Sequence, residues 1–223
     1  HRYLHSFPPR RSSDLLKPLG PGEAPPFTRI RYCRITQWQS AAGYDIVTGN
    51  ATDAYNDTRS AAGPLSRAMR SLVYLRPNTI LVYDSLASGT PRTWEWNLHA
   101  LDPISVTHSG SRVLIRRGDQ SVCVDALAGP GGRFVPVSEP DFSSWGATGG
   151  ASDAPNAAAP VEYHGKFVSA RASTSAELIV LLRVNAPCND KPPPAKRANG
   201  VWSVTVDGRT VTYDSATGLA AVD

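Results

Sequence analysis

Apolar and polar residues alternate one by one through much of this chain, which is typical of half-buried β-strands. From Trp94 to His99 the sequence reads Trp-Glu-Trp-Asn-Leu-His, with three apolar side chains on one face and three polar ones on the other. Segments of this kind recur roughly every eight to twelve residues, and helical periodicity is nearly absent. The predicted strands cover 29–38, 69–75, 79–84, 94–99, 104–107, 112–116, 121–127, 133–137, 161–170, 177–184, 202–206 and 210–213. The chain is therefore predicted to be all-β, an antiparallel β-sandwich of about a dozen strands.

Two turns indicate hairpins and support the antiparallel assignment. Arg76-Pro77-Asn78 separates segments 69–75 and 79–84, and the second segment is apolar without alternation, so we expect it to be buried on both faces. Asp207-Gly208 joins 202–206 to 210–213 and is typical of a two-residue hairpin. Two longer connections, at 143–159 and 186–200, are rich in alanine, proline and glycine, which favours mobile loops.

Size and composition are compatible with one folded domain over 27–223. The 223 residues can bury a full core, and 41% hydrophobic with 19% charged residues excludes a disordered chain. No apolar stretch approaches the roughly 18 residues of a membrane span. Residues 1–15 have no secretory-signal pattern and resemble translated sequencing-adapter DNA, so 1–26 is predicted to be a disordered or artefactual tail.

The net charge of +4 raises the question of a nucleic-acid partner. The arginines are scattered over the strands, and the tight basic group at 191–197 lies in a proline-rich loop, so solvated faces are favoured and no nucleic acid is predicted. A mildly positive surface also suits an acidic polysaccharide. The three cysteines leave the redox compartment open: Cys123 is expected to be a small core residue, and Cys188 beside Pro187 to be exposed.

The usual catalytic motifs are missing from the sequence. There is no Gly-x-Ser-x-Gly elbow, no phosphate-binding glycine loop and no Cys-x-x-Cys, His-x-His or His-Glu-x-x-His, so no cofactor and no metal ligand is predicted. Asp84 and His99 could form a site, although polar residues at strand edges explain them as well. Sugar binding needs aromatic faces and polar groups instead. The candidate substrate-binding residues are Tyr44, Tyr55, Trp94, His99 and the loop residue Trp145, whereas Trp38 and Trp96 are expected in the core.

An ordered set of motifs resembles a known family. Tyr-Asp-Ile-Val-Thr-Gly-Asn-Ala-Thr-Asp-Ala-Tyr at 44–55 is followed by the Arg-led segment 70–84 with its proline turn and by 94–99. This order is similar to the C-terminal β-sandwich of heparinase II/III-like polysaccharide lyases, with Asn50 where the family often has Asp. The likeness covers roughly 27–184, and 201–223 agrees loosely.

The resemblance implies a secreted or periplasmic bacterial lyase that cleaves uronic-acid-containing polysaccharide by β-elimination. In that family most catalytic residues lie on an N-terminal α/α toroid, and a His-rich segment at the start of the sandwich supplies others and a structural zinc site. Neither precedes Tyr44 here, so the chain is expected to be a supporting sandwich that lacks its toroid partner and is inactive alone. The alternatives are a stand-alone glycan-binding sandwich without catalysis and a structural surface module.

Overall fold

The computed structural model describes residues 33–55, 65–137 and 163–223, and their strands form three antiparallel sheets. A single helical turn, α1, spans Thr52–Tyr55. No helix in the described part of the chain is long and apolar enough to cross a membrane. The strands are β1 (Arg34–Ala41), β2 (Tyr44–Asn50), β3 (Leu65–Leu75), β4 (Thr79–Arg92), β5 (Glu95–Ala100), β6 (Ile104–Thr107), β7 (Arg112–Arg117), β8 (Gln120–Ala128), β9 (Arg133–Val137), β10 (Tyr163–Val168), β11 (Ser173–Val184), β12 (Ala195–Ala198), β13 (Val201–Val206), β14 (Arg209–Asp214) and β15 (Ala220–Val222).

The largest sheet has eight strands in the order β1-β2-β3-β4-β11-β8-β7-β6. Two meanders, β1–β4 and β6–β8, are joined side by side through β11, which pairs with β4 on one edge and β8 on the other. Each meander forms from neighbours in sequence, whereas β11 enters from far along the chain. The two smaller sheets both pack on this central sheet.

A four-stranded sheet, β12-β13-β14-β15, covers one face of the central sheet. Its inward residues, among them Val204, Val211 and Tyr213, pack on apolar residues of β2, β3, β4 and β11. The Tyr213 ring stacks on that of Tyr83 with centroids 4.8 Å apart. The C-terminal residues thus complete one hydrophobic core.

A three-stranded sheet, β5-β10-β9, covers part of the opposite face. The inward face of this sheet has Trp94, just before β5, and Trp96 and Leu98 within it, as the alternation predicts. These side chains pack against Phe134 and Phe167 from the other two strands. The central sheet is therefore buried on both sides where β4 and β11 run. The predicted all-β sandwich is confirmed, in a three-layered form.

Both predicted hairpins are present. β3 and β4 pair from Leu75↔Thr79 onward, and residues 81–85 of β4 are buried on both faces. β13 and β14 are joined at Asp207 and Gly208, whose φ angles of 50° and 74° are the left-handed values that a two-residue hairpin turn requires.

The expectation for Cys123 is confirmed, whereas those for Cys188 and for one loop are wrong. Cys123 is completely buried in the core, and it forms a disulfide with Cys188, which is half-buried rather than exposed; Cys33 is the free, exposed thiol. Segment 186–200, expected to be mobile, is held by that disulfide, by Arg112 and by β12. The other long connection, 143–159, lies outside the described residues.

Candidate functional site

A cleft of about 400 Å³ opens beside β5, on the face of the central sheet that carries the three-stranded sheet. Its walls come from the first four strands, from α1 and from the start of β5. Most of the lining is apolar. The lining residues are Cys33, Arg34, Ile35, Val47, Gly49, Asn50, Ala51, Tyr55, Leu65, Ala68, Met69, Arg70, Leu72, Asp84, Leu86, Trp94, Glu95 and Asn97.

The turn α1 holds Tyr55 at the cleft. The Asn50 side-chain oxygen accepts the amide of Thr52 at 2.9 Å, which caps the turn as short polar side chains commonly do. The Thr52 hydroxyl in turn accepts the amide of Ala68 at 2.9 Å, and the Ala51 amide donates to the Ala68 carbonyl at 2.8 Å. These bonds hold the C-terminal end of β2 against β3 and so determine the position of Tyr55.

Arg70 and Asp84 form a two-pronged ion pair in the cleft. Arg70 Nε and Nη2 donate to the two carboxylate oxygens at 2.5 and 2.6 Å, and the Asp84 side chain is only 7% exposed. Burial alone would lower the pKa of Arg70, but the adjacent Asp84 carboxylate raises it above its usual value. The pair is therefore fixed in its charged form and gives the cleft a rigid polar corner.

Tyr55 stays protonated at neutral pH. Burial of the phenol raises its pKa to about 12, and the positive charge of Arg70 offsets only part of that effect. A phenol in this state donates a hydrogen bond or a proton and does not act as a base.

Among the described residues, the cleft lining has two positive side chains, Arg34 and Arg70, and two negative ones, Asp84 and Glu95. Asp84 is neutralised by Arg70, and Glu95 is bridged at 2.9 Å by Lys166 of the neighbouring strand β10. With both carboxylates engaged, Arg34 at the exposed end of β1 leaves an excess of positive charge at the cleft. This balance favours an anionic ligand over a cationic one.

The structure brings together two of the five predicted substrate-binding residues, Tyr55 and Trp94. Trp94 is nearly buried, and its indole nitrogen donates to the carbonyl and hydroxyl of Ser173 at 3.1 and 3.0 Å, so it offers the cleft little of its ring. Trp145 lies outside the described residues.

Tyr44 and His99 lie elsewhere. Tyr44 begins β2, at the end opposite the cleft, and packs against the other core with Arg209 5.6 Å from its ring centre. His99 lies on the outer face of β5, where its ring stacks on His164 at 4.2 Å. The alternative pair of Asp84 and His99 is not assembled in the cleft, since Asp84 is bound by Arg70 and His99 is absent from the lining.

The structure corrects the expectation for one tryptophan and confirms it for another. Trp96 is buried in the core, but Trp38 is 70% exposed on β1. The sequence contained a usable indication of the Arg70–Asp84 pair, since a hairpin about Arg76-Pro77-Asn78 places those two positions opposite each other. No motif marked Arg34 or Asn97.

The structural zinc site implied by the family resemblance does not fit the residues present. In the described part of the chain no three His, Cys, Asp or Glu side chains lie close enough together to hold a metal ion. The candidate ligands in the cleft lining are the carboxylates of Asp84 and Glu95, each ion-paired with an arginine or lysine side chain, and the exposed thiol of Cys33.

No protein-family model and no curated protein matches the chain. Solved structures do share its fold. Heparan sulfate lyase HepC from Pedobacter heparinus aligns with a TM-score of 0.56 and 9% identity over 86% of this chain and 28% of that one. A structure described as heparinase III gives a TM-score of 0.56 and 12% identity over 86% and 27%. The chain thus has the fold of part of these lyases and spans little more than a quarter of their length.

Proposed function

We propose that this chain is the supporting β-sandwich of a polysaccharide lyase that cleaves uronic-acid-containing polysaccharide by β-elimination. The observation that carries the proposal is the three-layered fold shared with heparan sulfate lyase, combined with a cleft whose described lining, counted with Lys166, has a net positive charge. The partners would be the acidic polysaccharide and an α/α toroid, with no role for nucleic acid.

The cleft residues suit binding better than complete catalysis. Elimination needs a base for the proton next to the uronate carboxyl, a group that neutralises that carboxyl and an acid for the leaving oxygen. Among the described lining residues, both carboxylates are ion-paired and Tyr55 is protonated, so none of these three groups is ready to act as the base. Protonated Tyr55 and positively charged Arg34 line the cleft and suit the binding of an acidic sugar. The chain is therefore proposed to wall the cleft and to be inactive alone.

The Cys123–Cys188 disulfide supports a secreted or periplasmic location for the protein. Structural disulfides persist in oxidising compartments and are rare in the reducing cytosol. The half-buried sulfur of Cys188 and the fully buried one of Cys123 are consistent with a structural bond.

A stand-alone glycan-binding module is the second candidate, and one observation favours it. Trp38 presents most of its indole to solvent, which is what a ring-stacking contact with a sugar requires. Such a module would bind polysaccharide without any lyase partner.

The test compares binding with turnover on the purified chain. We expect heparan sulfate or alginate to bind measurably, with no rise in the absorbance of unsaturated uronide, and Tyr55→Phe to weaken binding while leaving the fold intact. Sustained product formation by the chain alone would contradict the supporting role. Failure to bind any uronic-acid polymer would contradict the assigned ligand class.

A further inference from the structure

Trp38 stands at the end of an apolar strip that crosses the first three strands. Its direct partner on β2 is Val47, whose partner on β3 is Leu72, so all three side chains lie on one face of the sheet. Ile35 lies on the same strand as Trp38. We call these four residues the β1–β3 ledge. The exposed fractions of Ile35 and Trp38 are 66% and 70%, so this end of the ledge faces solvent within the described structure.

The ledge is continuous with the cleft. Ile35, Val47 and Leu72 belong to both, and Trp38 lies one strand further out than Val47. Neighbouring strands are about 4.8 Å apart, so the indole begins within roughly one sugar ring of the cleft wall. A chain-like ligand leaving the cleft in this direction passes over Trp38.

The surroundings of the ledge favour a sugar over a protein surface. The row formed by Trp38, Val47 and Leu72 is one residue wide, and the row beside it on the same face has a hydroxyl, a carboxylate and a phenol, from Ser40, Asp45 and Tyr74. Ser40 donates to Asp45 at 2.6 Å, and Arg76 bridges the same carboxylate at 2.5 Å. On the cleft side, the next row on this face contains Ile35, Gly49 and Arg70. A narrow apolar strip with polar borders matches a pyranose ring, which has apolar faces and a rim of hydroxyls, whereas protein interfaces have a broader apolar centre.

Charge selects the kind of sugar. Asp45, Asp84 and Glu95 each have a cationic partner, Arg76, Arg70 and Lys166 respectively. Arg34 also lines the cleft, so the described part of the lining, counted with Lys166, has a net positive charge. A carboxylated sugar is favoured there over a neutral one, since opposite charges attract.

We propose that Trp38 is the stacking platform of a saccharide subsite that continues the cleft along the ledge and takes a uronic-acid ring. This rests on the proposed function and adds a specific binding residue to it. The subsite lies outside the corner formed by Tyr55, Arg70 and Asp84, so it extends ligand contacts without supplying chemistry.

The experiment is a calorimetric and fluorescence titration of the full chain with heparan sulfate and alginate oligosaccharides, with a cellulose oligosaccharide as the neutral probe. Trp38→Ala should weaken acidic-oligosaccharide binding about tenfold and remove most of the tryptophan quenching, because an aromatic stacking contact is lost. Trp38→Phe should keep binding within about threefold, since it retains an aromatic face. Leu101→Ala, at another exposed apolar position, is the matched control and should bind like the wild type.

The outcomes separate the subsite from the proposed function. If the wild type binds the acidic oligosaccharides and Trp38→Ala binds them equally well, the subsite is wrong and the proposed function stands. If the wild type binds no acidic oligosaccharide, the ligand class of the proposed function is wrong. Equal affinity for the neutral probe would overturn selection by charge. Unchanged glycan binding with loss of self-association in Trp38→Ala would make the ledge a protein contact and overturn the subsite.

Discussion

Arg112 and Asp125 form an ion pair in which both side chains are almost completely buried, 1% and 2% exposed, with Nε and Oδ1 2.6 Å apart. The other guanidinium nitrogens donate to the carbonyls of Cys188 and Asp190 at 2.5 and 2.7 Å. The second carboxylate oxygen accepts from Arg183 at 3.2 Å. The pair is thus fully engaged, and it fastens segment 186–200 to the central sheet.

Arg112→Met should lower the free energy of unfolding by about 3 kcal/mol, because it leaves the buried Asp125 carboxylate with one weaker partner. Urea unfolding measures the loss. Arg117→Met on the same strand removes only an exposed pair with Asp102, 3.8 Å long, and should change the free energy by less than about 1 kcal/mol. The double variant Arg112→Met with Asp125→Leu should lose less free energy of unfolding than Arg112→Met alone. Equal losses for Arg112→Met and Arg117→Met would contradict a structural role for the buried pair.

Removing the Cys123–Cys188 disulfide should destabilise the protein by about 4 kcal/mol, since it closes a loop of 65 residues and so restricts the unfolded chain. The Cys188→Ser substitution and treatment of the wild type with reductant should lower the melting temperature by similar amounts. Cys33→Ser should have no effect and should retain the sensitivity to reductant. Thiol titration under denaturing conditions should find one free thiol before reduction and three after it. Three thiols in the untreated protein would refute the bond.

Glu177 makes stability depend on pH in the acid range. Burial alone would raise its pKa, but hydrogen bonds from Ser215 and Tyr83 and the charge of Arg197 leave it below the ordinary value of 4.5. The unfolded state therefore takes up the proton first as pH falls. The stabilisation is complete above the unfolded pKa and is lost as pH drops through the lower, folded pKa.

Glu177→Gln should consequently be less stable than the wild type at about pH 7, and the difference should shrink toward about pH 3. Urea unfolding of both proteins across that interval gives the two curves. A difference between them that stays constant with pH would show that the carboxylate charge is not involved.

Gly132 leaves no room for a side chain. A Cβ there would lie 1.7 Å from the carbonyl oxygen of Val168, a backbone atom that cannot move without disturbing β10. Gly132→Ala should lower the free energy of unfolding by about 1–3 kcal/mol. Gly89→Ala, where a Cβ meets nothing within 4 Å, should be neutral or slightly stabilising. Thermal unfolding of the two variants distinguishes the sites. A Gly132→Ala protein as stable as the wild type would contradict the close contact.

Local features of the fold could be predicted from the sequence because they depend on neighbouring residues. The turn at Arg76-Pro77-Asn78 and the Asp207-Gly208 hairpin each bring adjacent segments together, and the alternation from Trp94 to His99 identifies an inward face. Those features are set by turn geometry and side-chain direction alone.

The site could be predicted only in part, because it depends on which sheet faces are covered. Alternation gives Trp38 and Trp96 the same apolar character, yet one strand is overlaid by a second sheet and the other lies at an edge. Cysteine pairing likewise requires distances between strands far apart in sequence. The sequence offers Tyr55 as an aromatic candidate, whereas only the placement of β1 brings Arg34 to the cleft.

The position of β11 has a consequence for synthesis on the ribosome. Both meanders of the central sheet precede it, so each can form while the chain emerges, but the two cannot join until β11 follows. Until then β4 and β8 both present unpaired edges, and such edges invite pairing with other chains. The nascent protein therefore passes through a stage at which these sheet edges are open to other chains, and that stage ends when β11 is synthesised and pairs with both.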